Sequence, residues 1–252
     1  MAYPEDLLLL LTHIPKCVGT SFRTALVEPC FNESDFLCPK GIREVRRYEK
    51  DFRFLIGHYP FGVHRYLNPR SPAAQRRILF VTALREPVDQ MISYFFYHRN
   101  LEEKTDEANG LYQGDVVGFY QRQRRFRNMQ TRFLAGVPWA LGRSPLHVLG
   151  QRVPALMLAA AKRNLRAFHY VFKQASADVD FAQYAQDFDL SYQPHRAELT
   201  VTKGRPAVQE LADEQRERMR AFNAADVALL EHLDRVRPNG PKLRDLGARS
   251  LP

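Results

Sequence analysis

The strongest constraint on the fold is the run "LLLLLTHI", residues 7–14, which opens with five consecutive leucines. It lacks the apolar-polar alternation of a half-exposed strand, so both faces must be covered, as in a parallel sheet lined by helices. The run stops far short of the roughly 20 residues that cross a bilayer, and acidic rather than basic residues precede it. It therefore reads as a buried strand of a soluble, cytoplasmic protein rather than as a leader or an anchor.

The pattern recurs. Residues 19–29 carry helical spacing after the first strand. Residues 52–58, "FRFLIGH", and 77–84, "RILFVTAL", read as second and third strands, and "REPVDQMISYFFYHR" as a helix with Pro87 in its first turn. Two more helices are predicted within 115–134, one within 154–168, a fourth strand at 169–174, and one long helix over 209–233. Strands alternating with helices imply an α/β fold, a central and mostly parallel sheet flanked by helices in three layers. At 252 residues the chain fits one domain, placed at 1–237, with 238–252 as a loose tail rich in Pro, Gly and charge.

Such sheets bind ligands at the carboxyl ends of their strands. The first of these ends leads into "HIPKCVGTSF", residues 13–22. A glycine-containing turn into a helix points backbone N–H groups at an anion, Lys16 adds charge, and Thr20 and Ser21 add hydroxyls. This is not a Walker A loop, because Lys16 precedes Gly19 instead of following a second glycine. The third strand end carries Arg85, with Ser93 two helical turns later, a second pair able to grip a phosphate. The second carries His58, an imidazole of the kind that takes a proton near neutral pH.

Lys and Arg outnumber Asp and Glu by 37 to 28, giving a formal charge of +9 and favouring an anionic partner. Three cysteines without paired spacing, and the absence of CxxC and HExxH, argue against a disulfide framework and a zinc site; no metal is expected.

Taken together, "HIPKCVGTSF", "GHYPFGVH", "LREPVDQMISYFFYHR" and "NMQTRFLAG", in that order over about residues 7–235, resemble the sulfotransferases that use 3′-phosphoadenosine 5′-phosphosulfate (PAPS), in the branch containing the heparan sulfate 2-O-sulfotransferases and bacterial relatives. The resemblance implies a P-loop-like fold and transfer of a sulfuryl group from PAPS to an acceptor hydroxyl, expected on a carbohydrate, leaving adenosine 3′,5′-bisphosphate. It implies that Lys16, Cys17, Gly19, Thr20, Ser21 and Phe22 form the 5′-phosphosulfate loop and that Arg85 and Ser93 hold the 3′-phosphate. Lys203 and Arg205, in "TKGRP", would close over that phosphate. Lys16 is expected to stabilise developing charge and His58 to act as general base, with His64, Gln130 and Arg132 meeting the acceptor. Many relatives have glycine where this chain has Val18, which implies an altered loop geometry.

Two other functions compete. A nucleotide-dependent kinase needs carboxylates for magnesium, and Glu86 and Asp89 read only as helix-start residues. A non-catalytic binder of acidic glycans would use the basic run at Arg122, Arg124, Arg125 and Arg127, but would not need Lys16, His58 and Arg85 at successive strand ends. No nucleic-acid-binding signature is present.

Overall fold

The computed structural model describes residues 3–103, 110–140, 144–192, 194, 203–237 and 240–245. The leucine run forms β1 (Leu7–Thr12), all six residues buried. The chain then turns into α1 (Gly19–Phe22), which widens into a π-turn over Arg23–Val27 and ends in a 3-10 turn at Glu28–Cys30. A two-residue strand, β2 (Phe36–Leu37), and a short α2 (Ile42–Arg47) lead to β3 (Phe54–Gly57). After β4 (Arg77–Leu84) comes α3 (Pro87–Glu102), then α4 (Val116–Arg122), α5 (Met129–Ala135), α6 (Val137–Ala140), α7 (Pro145–Arg152) and α8 (Pro154–Leu165). The last strand is β5 (Tyr170–Lys173), followed by α9 (Ala177–Phe188), α10 (Asp213–Phe222) and α11 (Ala224–Val236).

All five strands are parallel, in the order β2-β3-β1-β4-β5, with Leu9 opposite both Phe54 and Leu79. The protein is thus an α/β three-layer fold, as the alternation of elements predicts. From β1 the chain winds toward β2, and from β4 it winds the other way toward β5. The winding direction reverses between β1 and β4, and that is where an open parallel sheet leaves a crevice at its carboxyl end.

One helical layer packs Phe22 of α1 against Phe172 of β5 and Phe181 and Tyr184 of α9. The other contains α3 and α4, with the buried Tyr120 hydroxyl of α4 donating to the Met91 carbonyl of α3 at 3.1 Å. Helices α5 and α11 cap each other. The Asp226 carboxylate accepts the N–H groups of Gln130 (3.2 Å) and Thr131 (2.7 Å) in the first turn of α5. In return the Asn128 side-chain oxygen accepts those of Ala225 (3.0 Å) and Asp226 (3.3 Å) in the first turn of α11. Groups that a helix end leaves unbonded are thereby satisfied from across the interface.

Three expectations are corrected. The single helix predicted over 209–233 is broken at Asn223, whose side-chain oxygen takes the Asn128 N–H and draws the backbone out of helical geometry. Between the strand predicted at 169–174 and the long helix predicted from 209, where the sequence reading places no element, lies α9, whose Phe181, Tyr184, Ala185 and Phe188 form a buried stripe at helical spacing. Within the tail expected to be loose, residues 240–245 are described, and they clip the outer edge of β5: Val171 donates to the Pro241 carbonyl at 2.9 Å and Leu243 to that of His169 at 2.7 Å. No helix among the described residues is long and apolar enough to cross a membrane.

Candidate anion and base site at the strand ends

The loop after β1 is tightly wound. Cys17 donates its N–H to the Ile14 carbonyl at 3.2 Å, and Lys16 (φ 64°) and Val18 (φ 47°) both lie in the left-handed region. For a β-branched residue that conformation is strained. Val18 thus holds, at a cost in strain, a backbone that glycine adopts freely. The first helical bond runs from the Phe22 N–H to the Val18 carbonyl at 3.0 Å, which leaves the N–H groups of Gly19, Thr20 and Ser21 outside the helical ladder. Thr20 is exposed and Ser21 partly so, whereas the Cys17 and Phe22 side chains are buried, so those two residues can offer a ligand only their backbone.

The floor of the loop is tied to the β4 end by side-chain amides. Gln130 accepts the Arg85 N–H and donates to the Arg85 carbonyl, both at 2.9 Å, and Cys17 Sγ lies 3.8 Å from the same Gln130 oxygen. Gln90 donates to the Pro15 carbonyl at 3.0 Å. The Arg85 guanidinium bonds the Lys16 carbonyl at 2.9 Å and forms an ion pair with Asp89 at 2.6 Å. Arg205 pairs with the other Asp89 oxygen. The loop carrying Lys203 and Arg205 is held beside α3, where Asn100 donates to the Lys203 carbonyl at 3.5 Å; the Lys203 side chain is exposed. Thr202 of the same motif lies outside the described residues.

Two arginines therefore share one carboxylate, and both lie near enough to Lys16 for it to feel their charge. Lys16 has no ion-pair partner among the described residues, and its ammonium sits 4.0 Å above the Tyr97 ring. Burial, with Arg85 and then Arg205 nearby, pushes its pKa down to about 8. A lysine held this way is short of negative charge, and a bound phosphate or sulfate would supply it. Ser93 shares a helix face with Asp89 and Tyr97, at steps of four residues, and so lies between the two side chains that meet the cations; it is itself buried.

His58 lies at the end of β3, exposed at a pocket of about 390 Å³ also lined by His13, Thr20, Arg23, Lys40 and Tyr59. Its Nδ1 is 2.8 Å from the His13 carbonyl oxygen. A carbonyl can only accept, so Nδ1 carries a proton, and in the neutral tautomer Nε2 holds the lone pair that a general base needs. The His13 ring packs against His58 with centroids 4.4 Å apart, and burial, with His58 and then Arg23 and Lys16 nearby, holds His13 down to about 3, so it stays neutral. Gly19 makes room for this ring: a Cβ there would lie 2.1 Å from His13 Cδ2.

The side chains expected to meet an acceptor stand elsewhere. His64 packs between Phe61 and Phe80, burial holding it down to about 4, and it does not line the His58 pocket. Gln130 is the tie between two loops. Arg132 is buried, donates to the Arg125 carbonyl, and is lowered to about 10 by that burial. Conversely, sequence reasoning passed over Asp89 as a partner, although its position four residues after Arg85 is a recognisable ion-pair spacing. It also passed over Asp226 and the meeting of Tyr97 with Lys16, which depend on contacts remote in sequence.

No protein-family profile matches this chain, and no curated protein matches it. The functional reading therefore rests on residues and geometry.

Proposed function

We propose that this protein is a PAPS-dependent sulfotransferase acting on an acceptor hydroxyl, in keeping with its resemblance to that family. The observation that carries the reading is the excess of cations over carboxylates, Arg85 and Arg205 sharing Asp89 with Lys16 close by and without an ion-pair partner among the described residues, at the point where the sheet's winding reverses. Bound there, PAPS would supply a sulfuryl group already activated by its link to phosphate. Lys16 and the N–H groups of residues 19–21 are suited to hold the phosphosulfate end, and Lys16 to stabilise charge that grows on the departing side during transfer. Arg85, Arg205 and Ser93 would hold the 3′-phosphate. His58, with Nε2 free, would take the proton from the acceptor hydroxyl in the adjoining pocket. Glu86 caps α3 by accepting the Asp89 N–H at 2.7 Å, and Asp89 bridges two arginines, so neither carboxylate is free in the way a kinase site requires.

Calorimetric titration with adenosine 3′,5′-bisphosphate, ADP and ATP, with and without magnesium, tests the reading. Tight binding of the bisphosphate without magnesium, not matched by ADP and lost in Arg85→Ala, is expected. Magnesium-dependent preference for ATP would return the site to a kinase, and absence of binding by all three would leave a basic surface without a nucleotide.

A further inference from the structure

Helix α7 is built inside out. The side it turns to the protein carries His147 and Gly150, whose Cβ position faces Trp139 and Met157, while Leu146, Val148 and Leu149 lie exposed. A surface helix ordinarily does the reverse. Leu146 and Leu149 share one face of α7 at a step of three residues, and the exposed Val153, where the chain leaves helical geometry, and Leu156, exposed by 49% at the start of α8, follow close in sequence. Contiguous exposed aliphatics of this kind mark a surface that meets something else.

The surrounding charge narrows the choice of partner. From residue 116 to residue 177 the chain has no Asp or Glu at all, against eleven Lys and Arg. Arg152 adjoins these aliphatics, and the exposed Arg163 and Arg166 occupy the far end of α8 with Lys162; none of these four has an ion-pair partner among the described residues. Helix α11, packed on α8, adds Arg235 together with Glu231 and Asp234, and Asp234 pairs with Lys173. A second copy of the chain would bring the same cations against these and be repelled. A free polyanion would use the arginines and leave the aliphatics in water. A surface of negative headgroups above hydrocarbon uses both.

We propose that the exposed face of α7 and the start of α8 is a docking surface for an anionic lipid bilayer, with Leu146, Leu149, Val153 and Leu156 entering the interface and Arg152 and Arg163 meeting headgroup phosphates. Docking of this kind is peripheral and is independent of the reaction assigned to the strand-end site.

Flotation with vesicles of phosphatidylglycerol mixed with phosphatidylcholine, set against phosphatidylcholine alone, is the test. Binding to the mixed vesicles only is expected, weakened by added salt and reduced about tenfold or more by Leu149→Asp with Val153→Asp, because aliphatic burial and headgroup attraction act together. The melting temperature should fall only modestly, since over a third of each side chain already meets water; if the acidic pair impairs folding, Leu149→Ser with Val153→Ser must weaken flotation in the same direction. The proposal is overturned by absence of flotation on anionic vesicles. It is equally overturned by flotation that the aliphatic variants leave intact, which would mean charge alone is read, or by a concentration-dependent dimer, dissolved by Leu149→Asp, in place of flotation.

Discussion

At the scale of single residues, the loop after β1 holds Lys16 at a cost in stability. Lys16 titrates near 8 in the folded chain and near 10.5 when unfolded, so between those values the unfolded state holds more protons and stability rises with pH. Replacing the ammonium by an apolar chain of similar length removes that penalty. Lys16→Met is expected to stabilise the protein at pH 7 by about 1 kcal/mol, the full shift being discounted for partial exposure, with the gain gone near pH 10.5, while anion binding is lost. Thermal unfolding at several pH values, beside calorimetry, checks both halves. In the wild type, bisphosphate affinity should fall as pH rises through about 8, because the anion needs the charged lysine.

Two neighbouring positions should respond in opposite ways. Val18→Gly releases a strained left-handed valine and is expected to be neutral or stabilising by up to about 1 kcal/mol. Gly19→Ala drives a methyl into the His13 ring and should cost about 1–3 kcal/mol. It should also shift the imidazole NMR resonances of His58, on which that ring rests. A Gly19→Ala protein with unchanged stability and unchanged His58 resonances would refute this packing.

At the scale of elements, the reciprocal caps of α5 and α11 reach the site through Gln130. Asp226 fixes the first turn of α5, and that turn places the side chain joining the β1 and β4 loops. Asp226→Ala leaves two buried N–H groups without acceptors and is expected to cost about 2–3 kcal/mol. It should weaken bisphosphate binding as well, although the residue touches no ligand; denaturant unfolding and calorimetry on the one variant separate the two effects. None of this was legible beforehand. The apolar periods of β1, β3, β4 and α3 stand out because both their faces or one whole stripe meet the core. Asn128, Asn223 and Asp226 act through partners about a hundred residues away, and nothing local in the sequence distinguishes them from surface polar residues.

At the scale of the whole molecule, strand-loop-helix alternation was enough to infer a parallel α/β sheet and to direct attention to Lys16, His58 and Arg85. These do lie at the ends of β1, β3 and β4. The order of strands was not legible, since the two-residue β2 carries no period, and the burial of His64 and Arg132 depends on how α5 and the loop after β3 pack. The edge of β5 offers a global test. Removing residues 240 onward uncovers unpaired backbone groups on a strand whose own Tyr170 and Phe172 are buried. The truncated protein is expected to melt several degrees lower and to self-associate, measured by light scattering during heating.

That antiparallel clip also has a temporal side. On the ribosome, β5 emerges well before residues 241–243, so the sheet can assemble its parallel strands while one margin stays open. Sealing must wait until α9, α10 and α11 have left the exit tunnel. The interval between those events is the time during which a nascent chain of this protein is most exposed to pairing with its neighbours on a polysome, and slowing translation between residues 173 and 241 would lengthen it.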